Sequence, residues 1–461
     1  MPHKFITAQE KMGTDSSIKP FWLLPLLLTI PVLVFWRPGQ FFFILDDWTA
    51  LIQMKYPITI WDYLMIPDAE MLIPCSRLIY YFLVNLFGIH YDWLLLVNCL
   101  LTGVNSFILY LFFRDLLKPN VALALSILYA GAAVHSATAQ MAYYLNAILC
   151  MFFFLLSLRL TQIYMRKPSI PRLLGIGLLA WFSINSWNFT LLAIWALPLY
   201  ALLLGGERRG RLFWSLNLVI SLAFFGFAAE YFRFAGFRAV GSHNSQILAQ
   251  LPSFSFLIHW LVGAVLAPFH FLLHLKVNPI QSLAVGLATF SLPLILTMWA
   301  GEPMERKRLL WALLLNALPF FLVALSRQQL TFLQAMSDRY GVFTLVGPLL
   351  IVGTAWDILA RKFPAQHWVR TFLPMLIIAL VLWVQVRPNP GIREIYLNLG
   401  REARIQFLKL GNADERDRIA DATLIDQPFF TAGHPMSVNP HLTNSQAVSL
   451  YWYLSGQPRQ R

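Results

Sequence analysis

Long apolar runs separated by short polar breaks dominate the chain. A membrane-crossing helix needs about 20 mostly apolar residues. Such runs recur near 20–36, 92–113, 121–141, 143–165, 173–187, 188–204, 212–232, 280–300, 309–326, 341–358 and 369–387, about eleven in all. The expected fold is an all-α polytopic membrane protein. Residues 254–275 are also apolar enough to cross, but Pro268 interrupts them, and a re-entrant or interfacial segment fits the flanking charges better. The expected layout is an N-terminus at 1–19, a membrane module at 20–387 with long loops at 37–91 and 233–279, and a tail at 388–461.

Composition agrees. Of 461 residues, 58% are hydrophobic and 12% charged, with mean hydropathy +0.60. A soluble domain carries about a quarter charged residues, so this composition excludes a soluble enzyme. Cys75, Cys99 and Cys150 lie in or beside apolar stretches, an odd number that suits buried unpaired side chains better than a disulfide framework.

The formal charge of +13 orients the spans. The last 74 residues hold 8 basic and 7 acidic side chains, so the excess belongs to the membrane module. Seventeen basic residues fall on one side, in the N-terminus and in alternate short loops such as Arg166–Lys167–Arg172, Arg208–Arg209–Arg211 and Arg306–Lys307–Arg308. Positive charge of this kind marks cytoplasmic loops, not nucleic-acid binding. The N-terminus is then expected inside, and the first loop and tail outside. Low cysteine content and compact loops suit a bacterial inner membrane.

Candidate chemistry gathers at the outer face. Six acidic residues lie in or at the edge of the first loop: Asp46, Asp47, Asp62, Asp68, Glu70 and Asp92. Asp46-Asp47 directly follows the apolar run Phe41 to Leu45. Two adjacent carboxylates at the membrane surface repel, and either could take a proton near neutrality. The alternative is a solvated end to an apolar segment. Asp68 and Glu70 are candidates for the same cleft, or for a solvated turn at Pro67. His135 and Asn146 flank the junction between two spans, as pocket or packing groups. Arg339 sits before a late span, where it could clamp a lipid phosphate, pair with Asp338 or snorkel to head groups. Two adjacent carboxylates leave a divalent cation possible but unsupported. Walker, HExxH, CxxC and GxSxG motifs are absent.

Several of these patterns, in order, resemble the membrane glycosyltransferases of the GT-C class, in the branch of the protein O-mannosyltransferases and their bacterial relatives. They are Leu45-Asp46-Asp47-Trp48, then Pro74-Cys75-Ser76-Arg77-Leu78, then Asn98 to Asn105, then His135 to Leu156, and Asp338-Arg339-Tyr340 followed by Pro348. Ser136 stands where proline is usual, and Ser186-Trp187-Asn188 where many relatives carry Lys-Glu. The resemblance implies a GT-C-like fold and sugar transfer, with inversion, from a polyprenyl-phosphate donor to an acceptor hydroxyl on a glycan, lipid or protein. It implies Asp46 or Asp47 as general base and Arg339 with Tyr340 at the donor phosphate. Asp68, Glu70, Arg77, His135 and Asn146 are then pocket candidates. Two rival readings remain. A lipid-linked-sugar flippase or transporter needs a polar path across the membrane. A non-catalytic scaffold would act through the tail.

Overall fold

The computed structural model describes residues 20–43, 46–55, 59–67, 71–132, 134–234, 256–257, 260–261, 291–327, 338–363, 390–412, 414, 427, 429 and 442–455. Among them the fold is all-helical, without strands. In chain order come α1 (Leu23–Phe35), α2 (Asp46–Lys55), α3 (Ile60–Met65), α4 (Pro74–Phe87), α5 (Tyr91–Phe113), α6 (Pro119–Ala130) and α7 (His135–Gln140). A 3₁₀ turn (Ala142–Tyr144) leads into α8 (Leu145–Arg166), α9 (Ile170–Ser186), α10 (Thr190–Ala193), α11 (Ala196–Leu204) and α12 (Arg209–Phe234). Then follow α13 (Ser291–Ala300), α14 (Pro303–Arg327), α15 (Asp338–Thr344), α16 (Val346–Lys362), α17 (Pro390–Lys409) and α18 (Asn444–Ser455).

Among the described residues five helical stretches are long and apolar enough to cross a bilayer: Tyr91–Phe113, Ala142–Arg166, Gly206–Phe234, Pro303–Leu325 and Gly341–Lys362. This is a membrane protein. Five shorter apolar helices, Leu23–Phe35, Pro119–Ala130, Ile170–Ser186, Thr190–Leu204 and Ser291–Ala300, coincide with further expected runs. The run at 369–387 lies outside the described residues, as does most of 233–279. Of the latter, Trp260 donates its indole N–H to the Ala317 carbonyl at 2.8 Å, against α14.

Burial separates central from peripheral helices. Of an 18-residue apolar window, 83% of the residues are buried in Gly341–Lys362 and 33% in Gly206–Phe234. α12 turns Trp214, Leu218, Leu222 and Phe225 outward, and α9 exposes Ile170, Leu174 and Leu178 at four-residue spacing. A continuous exposed apolar stripe on a helix is unfavourable in water and suits lipid. Inside, small residues bring helices close. A Cβ on Gly103 of α5 would meet Leu28 Cα of α1 at 2.6 Å, so only glycine permits that approach.

Two of the expected runs are broken. That at 121–141 divides into α6 and α7 at Gly131–Val134, and that at 188–204 divides into α10 and α11. Broken backbone at membrane depth needs partners for its carbonyls. At the first break His135 N donates to the Ala132 carbonyl at 2.9 Å, and Asn98 of α5 serves the C-terminal end of α7, its Nδ2 donating to the carbonyls of Thr138 (3.0 Å) and Met141 (3.2 Å).

The apolar interior forms two large clusters. One fills the helical bundle around Phe112, Tyr129, Phe154, Trp311 and Leu350. The other lies at the end bearing the first loop and joins Phe41–Phe43, Trp48, Tyr80 and Tyr91 to Leu399, Phe407, Leu450 and Tyr451 of the tail. First loop and tail thus share one core and one end of the bundle. At the opposite end Asp115 takes Arg159 and Arg166, and Arg361 forks onto the buried Glu305 with both contacts at 2.9 Å. The three cysteines are free and none is exposed.

Candidate active site

The six first-loop carboxylates have different surroundings. Asp62 closes a capping box: its carboxylate accepts from Thr59 N at 3.0 Å, while its own N–H donates to Thr59 Oγ1 at 3.1 Å. Asp92 accepts from Gly39 N at 2.9 Å and ties the start of the loop to its end. Asp68 and Glu70 lie outside the described residues. Asp46 and Asp47 open α2, where negative charge is favoured by the helix N-terminus.

One residue separates two environments. Successive helical residues point about 100° apart, and Asp47 turns inward to full burial while Asp46 is half-buried. Asp47 Oδ2 accepts from Tyr91 Oη and Oδ1 from Tyr143 N, each at 2.7 Å. Tyr91 Oη in turn accepts from Ala142 N at 3.0 Å. A buried carboxylate is tolerated when donors surround it. These bonds pin α2 to the 3₁₀ turn between α7 and α8. Tyr80 of α4 lies edge-on to Tyr143 with centroids 5.5 Å apart, and burial first, then the Asp47 charge, raise its pKa well above the usual phenol value.

The other candidates surround the same junction. His135 is buried at the start of α7, with its ring edge-on to Tyr129 at 4.8 Å. Tyr129 Oη donates to the Val342 carbonyl of α15 at 3.2 Å, and α15 packs on α7 and α8. Arg339 and Tyr340 belong to the first turn of α15; their side chains are outside the described residues. Asn146 is buried in the first turn of α8 and accepts from Ala147 N at 2.6 Å.

Arg77 is fully buried in α4. Its Nη1 donates to the Tyr63 carbonyl at 2.9 Å and Nη2 to Gln53 Oε1 at 2.7 Å, so it braces α2, α3 and α4 together. Its Nε meets no hydrogen-bond partner among the described residues. A buried guanidinium held by neutral oxygens keeps a positive field behind α2.

Sequence reasoning gave no anchoring role to three groups, Tyr91, Asn98 and Asn188. Tyr91 and Asn98 open the first long span and hold the α7–α8 junction from below; their one signal is polarity on an otherwise apolar helix. Asn188 holds the first loop with two bonds to Leu72, accepting from its N–H at 2.9 Å and donating to its carbonyl at 3.1 Å. Ser76 Oγ adds a bond to the Ser186 carbonyl at 3.1 Å. The segment Ser186-Trp187-Asn188 therefore docks the loop. No group of three His, Cys, Asp or Glu able to hold a metal occurs among the described residues.

The chain matches no protein-family model, and no curated protein sequence matches it significantly.

Proposed function

We propose that this protein is a membrane glycosyltransferase of GT-C-like architecture with about eleven spans, its N-terminus in the cytoplasm and its first loop and tail outside, in a bacterial inner membrane. It moves a sugar from a polyprenyl-phosphate donor to an acceptor hydroxyl, with inversion. The observation that carries the reading is the division of labour between Asp46 and Asp47. A buried, doubly hydrogen-bonded carboxylate fixes a short helix at the bundle end, and its half-buried neighbour is left in the first turn. Asp62 closes a capping box and Asp92 ties the two ends of the loop together; Asp46 takes the chemistry in this reading on its half-buried place in the first turn of α2.

In this mechanism Asp46 takes the proton of the acceptor hydroxyl. The oxygen attacks the anomeric carbon from the face opposite the phosphate, the carbon–oxygen bond to phosphate breaks, and the electron pair leaves with the lipid phosphate. Arg339 and Tyr340 neutralise the charge growing on that phosphate. General-base help of this kind is worth about 10²–10⁴ in rate.

The test is transfer of label from radiolabelled polyprenyl-phosphate sugars in membranes carrying wild type, Asp46→Asn or the Asp46→Ala/Asp47→Ala double variant. Label leaving the lipid with wild type alone supports the reading. Label that stays lipid-linked in every case, across varied sugars and acceptors, overturns it in favour of a flippase.

A further inference from the structure

Helix α2, which carries Asp46, has ten residues. Isolated helices shorter than about 12–15 residues are marginal in water, so their order comes from packing. The N-terminal end of α2 is pinned through Asp47. The rest is held by the far end of the chain. Trp48, Leu51 and Met54 are buried in the core that contains Phe407, Leu410, Leu450 and Leu454. Phe407 is fully buried, with its ring 5.1 Å from that of Trp48, 5.8 Å from Phe42 and 5.7 Å from Tyr451. At the other end of α2, Lys55 Nζ donates to the Ser449 carbonyl at 2.8 Å and lies 5.6 Å from the centre of the Tyr453 ring.

Further hydrogen bonds join other parts of the first loop to the same tail segment. Ile89 N donates to the Leu454 carbonyl at 3.1 Å, and Arg404 Nη1 donates to the Gly39 carbonyl at 2.7 Å. Tyr453 Oη donates to Asn85 Oδ1 at 2.8 Å. The described tail residues have no large core separate from the loop; their buried apolar side chains belong to the cluster that surrounds Trp48.

We propose that the C-terminal segment is a working part of the catalytic unit: α17 and α18 clamp α2, and Phe407, through Trp48, is a positioning residue for the Asp46 carboxylate. The inference rests on the glycosyltransferase reading for its kinetic consequence, but its structural half stands without it. Displacement of a catalytic group by about 1 Å can cost around a hundredfold in rate, so a loosened α2 is expected to lower turnover more than donor binding.

The experiment uses the full-length protein as wild type, Phe407→Ala, Phe407→Leu and Lys55→Met, with two readouts. In the transfer assay, Phe407→Ala is expected to lower kcat about tenfold or more with donor KM within about twofold, and Phe407→Leu, which refills most of the site, to recover most of it. Lys55→Met, which keeps the stem and removes the bond to Ser449, tests the same clamp should Phe407→Ala not fold. In amide hydrogen exchange, Phe407→Ala and Lys55→Met are expected to deprotect 46–55 while 145–166 stays as in wild type. Turnover and exchange at 46–55 both unchanged in a folded variant overturn the proposal, and so does deprotection spread evenly over the bundle, which marks global destabilisation. If wild type transfers no sugar, the glycosyltransferase reading fails alone, and local exchange at 46–55 still supports or overturns the clamp.

Discussion

Exchanging the two adjacent aspartates for asparagine should produce opposite phenotypes. Asp47→Ala leaves the Tyr91 O–H and the Tyr143 N–H without the acceptor each reaches at 2.7 Å. A buried donor left unsatisfied costs about 1–3 kcal/mol, so the loss should be about 2–6 kcal/mol. Asp47→Asn is milder. Its amide oxygen can still accept from Tyr143 N, and its amide N–H₂ can donate to Tyr91 Oη, which already accepts from Ala142 N and has a second lone pair. One donor, the Tyr91 hydroxyl, loses its acceptor, for about 1–3 kcal/mol. Asp46→Asn gives up a favourable charge at a helix N-terminus, worth about 0.3–1 kcal/mol, but under the proposed mechanism it loses about 10²–10⁴ in turnover.

Thermal unfolding in detergent, read beside sugar transfer well below every melting temperature, separates the two. Asp47→Asn should melt lower and keep most of its turnover; Asp46→Asn should melt near wild type and lose its turnover. Tyr91→Phe combined with Asp47→Asn should be less damaging than the sum of the single changes, because both break one bond. The reasoning is refuted if Asp46→Asn turns over normally while Asp47→Asn is stable and inactive.

Three further outcomes follow from the packing. Gly88 ends α4 with φ +55 beside the Leu454 carbonyl, so Gly88→Ala strains the backbone and pushes on α18; a lower melting temperature and deprotection of 444–455 should accompany it, and wild-type exchange there would count against it. Arg361→Ala strips the buried Glu305 of a two-pronged partner; with the arginine itself half exposed, the loss should be about 1–3 kcal/mol, and Glu305→Gln should restore part of it in the double variant. Tyr453 has its phenol pushed up to about 12, first by burial. The unfolded chain then releases that proton at lower pH than the folded one, so stability should fall as pH rises from about 10 towards 12. Alkaline unfolding of Tyr453→Phe should lack that component of the slope.

The membrane helices are legible in the sequence because lipid-facing and buried sides are both apolar, and length alone then marks them. The breaks at 131–134 and between α10 and α11 are not, and neither is the support of the end of α7 by Asn98, some forty residues away. The acidic pair is legible as a pair, whereas its asymmetry is not. Which aspartate faces inward depends on α2 beginning at Asp46 and on Tyr143, 96 residues downstream of Asp47. In the sequence the tail reads as a small domain or appendage outside the membrane module, because its charge and polarity resemble those of a soluble segment. Yet Leu399, Ala403, Phe407 and Leu410 recur at helical spacing and are all buried, a stripe that marks a docked helix rather than a free one.

The site is assembled from chain segments that meet only when the fold is complete. Residues 72–76 hold to 186–188, α2 to the 142–143 turn, α15 to α7 and α8, and α17 with α18 to α2. Most of these anchors involve a backbone group or a buried ring, and few are exposed to a substrate. Under the proposed function, removing any one of them should therefore displace the reacting groups without removing a binding contact. The expected signature is a fall in kcat with donor KM nearly unchanged. Substitutions at groups that touch the donor, Arg339 first among them, should instead move KM as well. A set of anchor variants that raised KM and spared kcat would mean that the described end of the bundle binds the donor but does not perform the chemistry.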